Sequence, residues 1–343
     1  MRISTLSFMT SSLPGIQDSQ STIARLSQQI ATGQRILDPR DDPLGAQQAM
    51  QLSSSIATRS QYVANQTEAG QTLNEESTVL QGMQSALDSA RTMLQQTNAS
   101  DSQVVRDQHA VTLSGFYLQI QDFANSRDSA GNYLFAGFNI ATQPYQATPV
   151  YPTITAAQPA TYTGTPIGDP AAPQGVRTVT IEEGGNKVQV SDNLQNVLKF
   201  ASPVSIPYSV PVVPATNPPT YTATPVSTSD VFQAIDQLAI ALHDPNLPSN
   251  QVQQAVNDTV NALTATLGSL QNVQTRVATA QVQINDTQTA SKSRLTLDQN
   301  ALSDLTQVDQ ASAIIQLQSR QTSLQAAESA FAQTSKLSMF NYL

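Results

Sequence analysis

The stretch "LNEESTVLQGMQSALDSARTML", residues 73–94, decides the fold class. A leucine recurs in it every seven residues, and Met83 and Ala90 stand in interleaving positions. This spacing is typical of an α-helix that buries one narrow stripe against neighbouring helices. The stripe consists of Leu73, Leu80, Leu87 and Leu94.

A similar stripe near the N-terminus predicts a helical arm. It is formed by Ile16, Ile23, Leu26, Ile30 and Leu37. The segment "LDPRDDP" interrupts the pattern. We expect Pro39 to end one helix, Asp42 to cap the next and Pro43 to occupy its first position. A later helix is predicted to pack through Val104, Val111 and Leu118.

The C-terminal half repeats this pattern. One stripe runs through Val256, Leu263, Leu270, Val277 and Ile284. Its phase is lost at Ser291 and resumes at Leu295, which is a four-residue stutter. The stripe continues to Leu302, and a final helix is predicted to carry Leu317, Leu324 and Phe331. Leu305 and Ile315 belong to the same C-terminal segment, whose apolar end contains Met339 and Phe340.

The middle of the chain has a different character. Fourteen of the 19 prolines lie between Pro144 and Pro225, so this region cannot form a long helix. Within it, "VRTVTIEEGGNKVQV", residues 176–190, alternates apolar and polar residues around a glycine turn, which predicts a β-hairpin. The fold class is therefore mainly α, with paired terminal helices, a long helical bundle and an inserted small β domain.

Composition excludes several classes of function. The net charge of −9, without a basic cluster, gives no electrostatic basis for nucleic-acid binding. Cysteine is absent, and His109 and His243 lack a metal-binding pattern, so we predict no metal, cofactor or catalytic site. The N-terminal residues lack an uninterrupted apolar region, and no segment reaches transmembrane length. We therefore expect no cleaved signal and no membrane partner.

The terminal arms leave two alternatives open. A helix over residues 13–37 buries only a few apolar side chains, so it should be marginal without a partner along its length. The partner is either the last helix of the same chain or that helix together with other copies of the protein. Residue pattern alone does not choose between a simple helical hairpin and arms that order fully on assembly.

Four stretches together resemble the bacterial flagellin family. They are "MRIST" (residues 1–5), "QQIATGQRILDPRDDPLGAQQAM" (28–50), "GNYLFAGFNIATQPY" (131–145) and "SLQAAESAFAQTSKLSMFNYL" (323–343). They lie in both helical flanks, which cover more than half of the chain. The proline-rich middle matches no pattern, as expected for the variable domain of this family.

The resemblance implies a protomer with three layers. Residues 1–42 and 298–343 would form the inner layer, residues 43–145 and 229–297 the helical bundle, and residues 146–228 an outer β-rich domain. The inner layer would be the assembly interface, formed by the two terminal stripes named above with Met339 and Phe340. Asp38, Asp41, Asp42 and Pro43 would form the joint between the inner layer and the bundle, level with the stutter after Ile284.

The "NYLFAG" stretch would mark the exit from the bundle. Tyr133, Leu134, Phe135 and Phe138 would close the top of the bundle, while Gly137 and the nearby Gly131 would let the backbone turn into the insertion.

The resemblance also implies a role and partners. The expected role is a structural, non-enzymatic subunit between the flagellar hook and the filament, exported through the type III apparatus. Expected partners are the other hook-associated junction protein, flagellin, copies of itself in a ring-like layer and an export chaperone.

Two other functions stay open at the sequence level. One is flagellin itself, the bulk filament subunit, although the "MRIST" start and the "FNYL" end favour the junction role. The other is a binding or enzymatic module in the insertion, where Glu182 and Glu183 are adjacent. Adjacent carboxylates on a turn are usually solvated, so this alternative has little support.

Overall fold

The fold is taken from a computed structural model, which describes residues 2–170, 175–182, 184–212 and 219–340, with side chains from residue 13 to residue 333 outside the gaps. The α-helices in these parts are α1 (Arg2–Thr32), α2 (Pro43–Gln96), α3 (Gln103–Ala124), α4 (Gln195–Leu198), α5 (Val231–His243), α6 (Ser249–Thr306) and α7 (Gln310–Phe340). The strands are β1 (Tyr145–Gln146), β2 (Thr161–Tyr162), β3 (Thr178–Thr180), β4 (Lys187–Gln189), β5 (Lys199–Pro211) and β6 (Tyr221–Asp230). They form three antiparallel pairs, β1–β2, β3–β4 and β5–β6. The predicted fold class is confirmed.

The chain divides into two compact units. Unit 1 comprises Met1–Gln61 and Lys292–Leu343, and unit 2 comprises Tyr62–Ser291. The insertion belongs to unit 2, together with residues 62–145 and 229–291 of the predicted bundle. The three-layer division at residues 42/43, 145/146, 228/229 and 297/298 stays a prediction, and the units observed here divide the chain at other positions.

The core of unit 2 follows the predicted stripes. Leu73, Leu80, Leu87 and Leu94 on α2 have at most 1% of their surface exposed. The α6 stripe from Val256 to Ile284 is likewise buried. Each leucine or isoleucine buried in this way contributes about 1.5–3 kcal/mol to folding. The seven-residue period therefore located the core faces of both long helices correctly.

The predicted packing face of α3 was wrong. Val104, Val111 and Leu118 are exposed, and the helix buries the opposite face. That face carries larger side chains, above all Tyr117, so it removes more apolar surface from water. The buried residues are Ala110, Leu113, Tyr117, Ile120 and Ala124.

Helix α5 is the centre of unit 2. All its residues from Val231 to Leu242 are buried. The ring of Phe232 meets the ring of Tyr117 edge to face, with centroids 5.5 Å apart, and lies 6.1 Å from the ring of Tyr145. Asp230 caps the helix, because its Oδ1 accepts a hydrogen bond from the backbone N–H of Gln233 at 2.9 Å.

The first part of the insertion is held against α5 by side chains of that helix. The Asp236 carboxylate accepts hydrogen bonds from the backbone N–H groups of Val150 and Tyr151, at 2.7 and 3.0 Å. Gln237 accepts one from the N–H of Ala157 at 2.8 Å. These contacts satisfy backbone groups of an irregular segment that has no sheet partner.

Two hairpins follow in the insertion. As predicted, Val179 of β3 pairs with Val188 of β4, and Gly185 provides the positive φ of the turn. The β5–β6 ribbon is longer than the sequence indicated and pairs Pro207 with Pro225. Prolines lack the N–H that an added strand would need, so they restrict further pairing at the edges of this ribbon.

The stutter after Ile284 does not interrupt its helix, and a joint at its level stays a prediction. Helix α6 continues from Ser249 to Thr306, because the stretch contains no proline and its stripe can shift without a break. The interruption comes later, between Thr306 and Gln310. There Asp309 caps α7, and its Oδ1 accepts hydrogen bonds from the N–H groups of Ala311 and Ser312 at 3.1 and 3.2 Å.

Candidate functional site

The candidate assembly interface lies in unit 1, where α1 and α7 pack against each other. Leu26 is buried, with 8% of its surface exposed. The other predicted residues of the arms are partly buried, namely Ile16, Ile23, Ile30, Leu37, Leu302, Leu305, Leu317, Leu324 and Phe331. The predicted stripes of both arms are therefore only partly buried within the single chain.

Ile315 does not belong to this packed face. It is 66% exposed, whereas Ala313, two residues earlier, is 4% exposed. On a helix these two positions point about 200° apart, so only one of them can face α1. The predicted packing of Ile315 on α1 was wrong, whereas its place in an assembly interface stays a prediction. Ala313 is the buried residue that the sequence reasoning missed. The side chains of Met339 and Phe340 lie outside the described residues.

The non-helical segment after α1 and the non-helical segment between α6 and α7 lie side by side. Helix α1 ends at Thr32, and Gly33 follows with a φ of 70°, so the helix stops before Pro39, where the sequence had placed its end. The N–H of Arg35 donates to the carbonyl of Thr306 at 2.7 Å, and the N–H of Val308 donates to the carbonyl of Gly33 at 3.0 Å. The two non-helical segments therefore form one cross-linked bend.

Arg35 connects this bend to the predicted joint. Its guanidinium donates to the carbonyl of Leu305 at 3.0 Å and lies 3.1 Å from the Asp42 carboxylate. Asp41 accepts hydrogen bonds from the N–H groups of Leu37 and Asp38 and pairs with Arg25 at 3.3 Å. The acidic segment thus organises a turn through local contacts and holds no convergent set of free carboxylates.

Asp42 and Pro43 begin α2 as predicted. The Oδ1 of Asp42 accepts a hydrogen bond from the N–H of Gly45 at 2.8 Å, and Pro43 is the first residue of the helix. This bond and the Arg35 guanidinium hold the pKa of Asp42 below its usual value. Gly45 leaves room for this cap, since a Cβ at this position would lie 2.4 Å from the Asp42 carboxylate and 2.9 Å from Ile36 and would displace these side chains.

Replacing Asp42 with alanine should loosen the first turn of α2. The variant leaves the N–H of Gly45 without its acceptor and Arg35 without one of its partners. Hydrogen exchange followed by mass spectrometry should show faster exchange in peptides covering residues 43–48. Arg40→Ala is the control, because Arg40 is exposed and its distance to Asp38 is 3.9 Å. Equal exchange in both variants would contradict the capping role.

The exit motif combines buried and exposed residues. Leu134 and Phe135 have at most 1% of their surface exposed, whereas Phe138 is 49% exposed and contributes little to closing the bundle. Tyr133 accepts a hydrogen bond from Arg127, whose guanidinium also lies 4.2 Å from the centre of its ring. Leu134 and Phe135 are therefore the residues of this motif that are buried within unit 2.

Gly137 supplies the turn that the sequence predicted. Its φ is 65°, and a Cβ there would lie 2.7 Å from the carbonyl oxygen of Gly175 and 2.8 Å from Thr165. The Thr165 hydroxyl also accepts the N–H of Phe138 at 2.9 Å. Only glycine satisfies both the backbone angle and this close approach of the insertion. Gly131, with a φ of 86°, provides a second turn just before the motif.

A buried acid in unit 2 escaped the sequence reasoning. Glu76 on α2 is fully buried, and its Oε1 accepts the backbone N–H of Asp192 at 2.8 Å. Burial, and to a smaller extent the nearby Asp192 carboxylate, raise the pKa of Glu76 to about 8 against the opposing effects of that hydrogen bond, Arg276 and Arg177. Asp192 itself pairs with Arg276 at 2.6 Å. Glu76 is therefore largely neutral at pH 7.

The described parts of the chain contain few side chains that are arranged for metal binding or catalysis. They contain no group of three or more His, Asp or Glu side chains arranged to hold a metal ion. His109 contacts the hydroxyl of Thr97, and His243 lies 2.8 Å from the Asp107 carboxylate. Among the same residues, no helix combines the length and hydropathy needed to cross a bilayer.

Comparison with known proteins first shows the class of protein that this chain is similar to. Residues 3–140 match the family model described as the bacterial flagellin N-terminal helical region. This match covers α1 from residue 3 onward, α2, α3 and the whole exit motif. It confirms the resemblance to the flagellin family for the N-terminal part of the chain.

Full-length relatives define the resemblance more closely. The chain is 28% identical to flagellar hook-associated protein 3 of Salmonella typhimurium and 26% identical to that of Escherichia coli, over 99% of each chain in both cases. The crystal structure of the flagellar junction protein FlgL from Legionella pneumophila has the same fold, with a TM-score of 0.53 and 16% identity. That match covers 76% of this chain and 99% of the Legionella chain.

Proposed function

We propose that this protein is a structural subunit of the bacterial flagellum that joins the hook to the filament. The similarity to hook-associated protein 3 supports this role, because each alignment spans 99% of this chain and 99% of the relative. The protein acts outside the cell, as part of the flagellum. It performs no catalysis, and its function is mechanical.

The observation that carries the proposal is the sparse packing of unit 1. Among its described side chains, only Leu26 and Ala313 are buried apolar residues. A buried leucine contributes about 1.5–3 kcal/mol and an alanine less, whereas the parts of α1 and α7 with described side chains span residues 13–32 and 310–333. Much of the backbone order of these parts then depends on contacts outside the single chain. Such contacts are available when copies assemble side by side.

We infer that the arms order fully on assembly. Neighbouring copies cover the half-exposed stripes of α1 and α7, and the bend at Arg35 couples the two arms as they pack. The finer partners follow from the same role: the second junction protein on the hook side, flagellin on the filament side and an export chaperone on the C-terminal segment before secretion.

Deleting the gene should produce hooks without attached filaments. Because the junction is then missing, flagellin should appear in the culture medium, where immunoblotting detects it, while electron microscopy shows bare hooks. The full chain should restore filaments, and a chain lacking residues 1–37 should not. Normal filaments in the deletion strain would contradict the proposal.

The alternative role as flagellin predicts a different location. Immunogold labelling of intact flagella should give one band at the proximal end of the filament for a junction subunit. Labelling along the whole filament would indicate the bulk filament subunit instead.

A further inference from the structure

The β5–β6 ribbon has two edges, and its strand pairing decides which residues face them. The N–H of Val212 donates to the carbonyl of Thr220 at 2.8 Å, and the register continues from that pair to Val204. N–H groups alternate in direction along a strand, so the even-numbered residues of this stretch bond within the ribbon and the odd-numbered ones face its edges. Ser209 fits this pattern, since its N–H donates to the Asp244 carboxylate at 2.7 Å.

The edge formed by β5 offers few hydrogen-bond donors. We define the β5 edge as the odd-numbered residues of the regularly paired stretch, namely Ser205, Pro207, Ser209 and Pro211. The two prolines have no N–H to donate to an added strand. The N–H of Ser209 is already bonded to the Asp244 carboxylate. Of these four residues, Ser205 is therefore the one whose N–H can bond to another strand.

The edge formed by β6 is different. We define the β6 edge as the residues that pair with the β5 edge, namely Ser227, Pro225, Ala223 and Tyr221. Three of these four residues keep an N–H that faces outward. A row of such groups on an edge strand is a template for a further strand. The ribbon therefore has one edge that can pair and one that cannot.

The strand pairing explains where the prolines lie but not why they are present. A proline at an even-numbered position would remove a hydrogen bond between β5 and β6, so prolines are tolerated only at the edges. Residues such as threonine or valine at positions 207 and 211 would satisfy the ribbon equally well, because they favour strands. The prolines of the β5 edge therefore indicate a role other than the folding of the ribbon.

We propose that the β5 edge prevents the ribbons of neighbouring copies from pairing with each other in the assembled junction. The proposal rests on the proposed function, in which identical copies stand side by side. Copies related by rotation about one axis meet through different surfaces, so ribbons in contact bring the β5 edge of one copy to the β6 edge of the next. Because the β5 edge lacks donors, no sheet can continue from copy to copy. The contacts between copies are then left to other surfaces.

Replacing Pro207 and Pro211 together with threonine should open the β5 edge. Threonine supplies the missing N–H and favours strands, so the variant should fold as before, which circular dichroism checks. Sedimentation equilibrium of the purified full chain should show self-association that is about tenfold or more stronger than in the original protein, because each contact regains two hydrogen bonds. Pro159→Thr is the matched control, since Pro159 is exposed and lies outside the strands. It should leave self-association unchanged.

Two further variants show whether the effect belongs to this edge. Pro207→Thr alone should strengthen self-association by less than the double variant, because it restores one donor instead of two. Adding Ser205→Pro to the double variant should weaken self-association again, because it removes a donor from the same edge.

Three results would overturn the inference. They are a folded double variant that associates no more than the original chain, an equal rise in Pro159→Thr, and a triple variant that associates as strongly as the double variant. All three are measured on purified protein and leave the junction role intact. Filaments in the gene-deletion strain would instead remove the junction role and leave the measured self-association unchanged.

Discussion

Replacing Phe232 with alanine is expected to lower the free energy of unfolding by about 3–5 kcal/mol. Phe232 is fully buried at the centre of unit 2, where its ring contacts those of Tyr117 and Tyr145. Truncation removes the largest side chain of α5 and leaves a cavity that a helix packed on all sides cannot close. Urea denaturation of the full chain, followed by circular dichroism at 222 nm (a helix-sensitive wavelength), measures the loss.

Phe138→Ala provides the matched control for this prediction. The side chain removed is the same, but Phe138 is 49% exposed. Its replacement should change stability by about 0.5 kcal/mol or less. Comparable losses in the two variants would mean that Phe232 does not occupy the centre of the core.

Replacing Glu76 with glutamine should remove a pH dependence of stability and strengthen the fold in mild alkali. Burial raises the pKa of Glu76 from 4.5 to about 8, so the folded protein keeps this proton at pH values where the unfolded chain has lost it. The stability that depends on this proton is complete below pH 4.5 and is lost as the pH rises through 8. Glutamine has no proton to lose, and its oxygen can still accept the N–H of Asp192.

The expected difference in the free energy of unfolding between Glu76→Gln and the original chain therefore grows with pH. It should be close to zero at pH 4 and on the order of 3–5 kcal/mol in favour of Glu76→Gln above pH 8. Urea denaturation at a series of pH values measures it. Glu68→Gln, an exposed substitution on the same helix, should keep the pH dependence of the original chain. A constant difference between Glu76→Gln and the original chain would contradict the burial of a neutral acid.

The long helices of unit 2 were predictable because each buries one narrow face. The leucines from Leu73 to Leu94 meet neighbours on a single side, so their period of seven reports the packing directly. The same rule failed for helix α3, since this helix has apolar residues on two sides. The wider side, with Tyr117 and Ile120, packs into the core, and Val104 and Val111 are exposed to solvent.

The bend in unit 1 was predictable only in part. Asp42 and Pro43 are local signals for the start of a helix, and the structure places them there. The break before α7 contains neither proline nor glycine, although Asp309 followed by Ser312 is a capping signal that could have located it. No local pattern reports the bond from Arg35 to the carbonyl of Leu305, because 270 residues separate them.

The pairing of α1 with α7 sets an order of events in folding. Unit 2 is one continuous segment, Tyr62–Ser291, so it can complete its core without either end of the chain. Unit 1 needs both ends, and closing so long a loop is slow and entropically costly. Helix α1, although it is synthesised before all of unit 2, consequently packs against α7 only after the core of unit 2 can form.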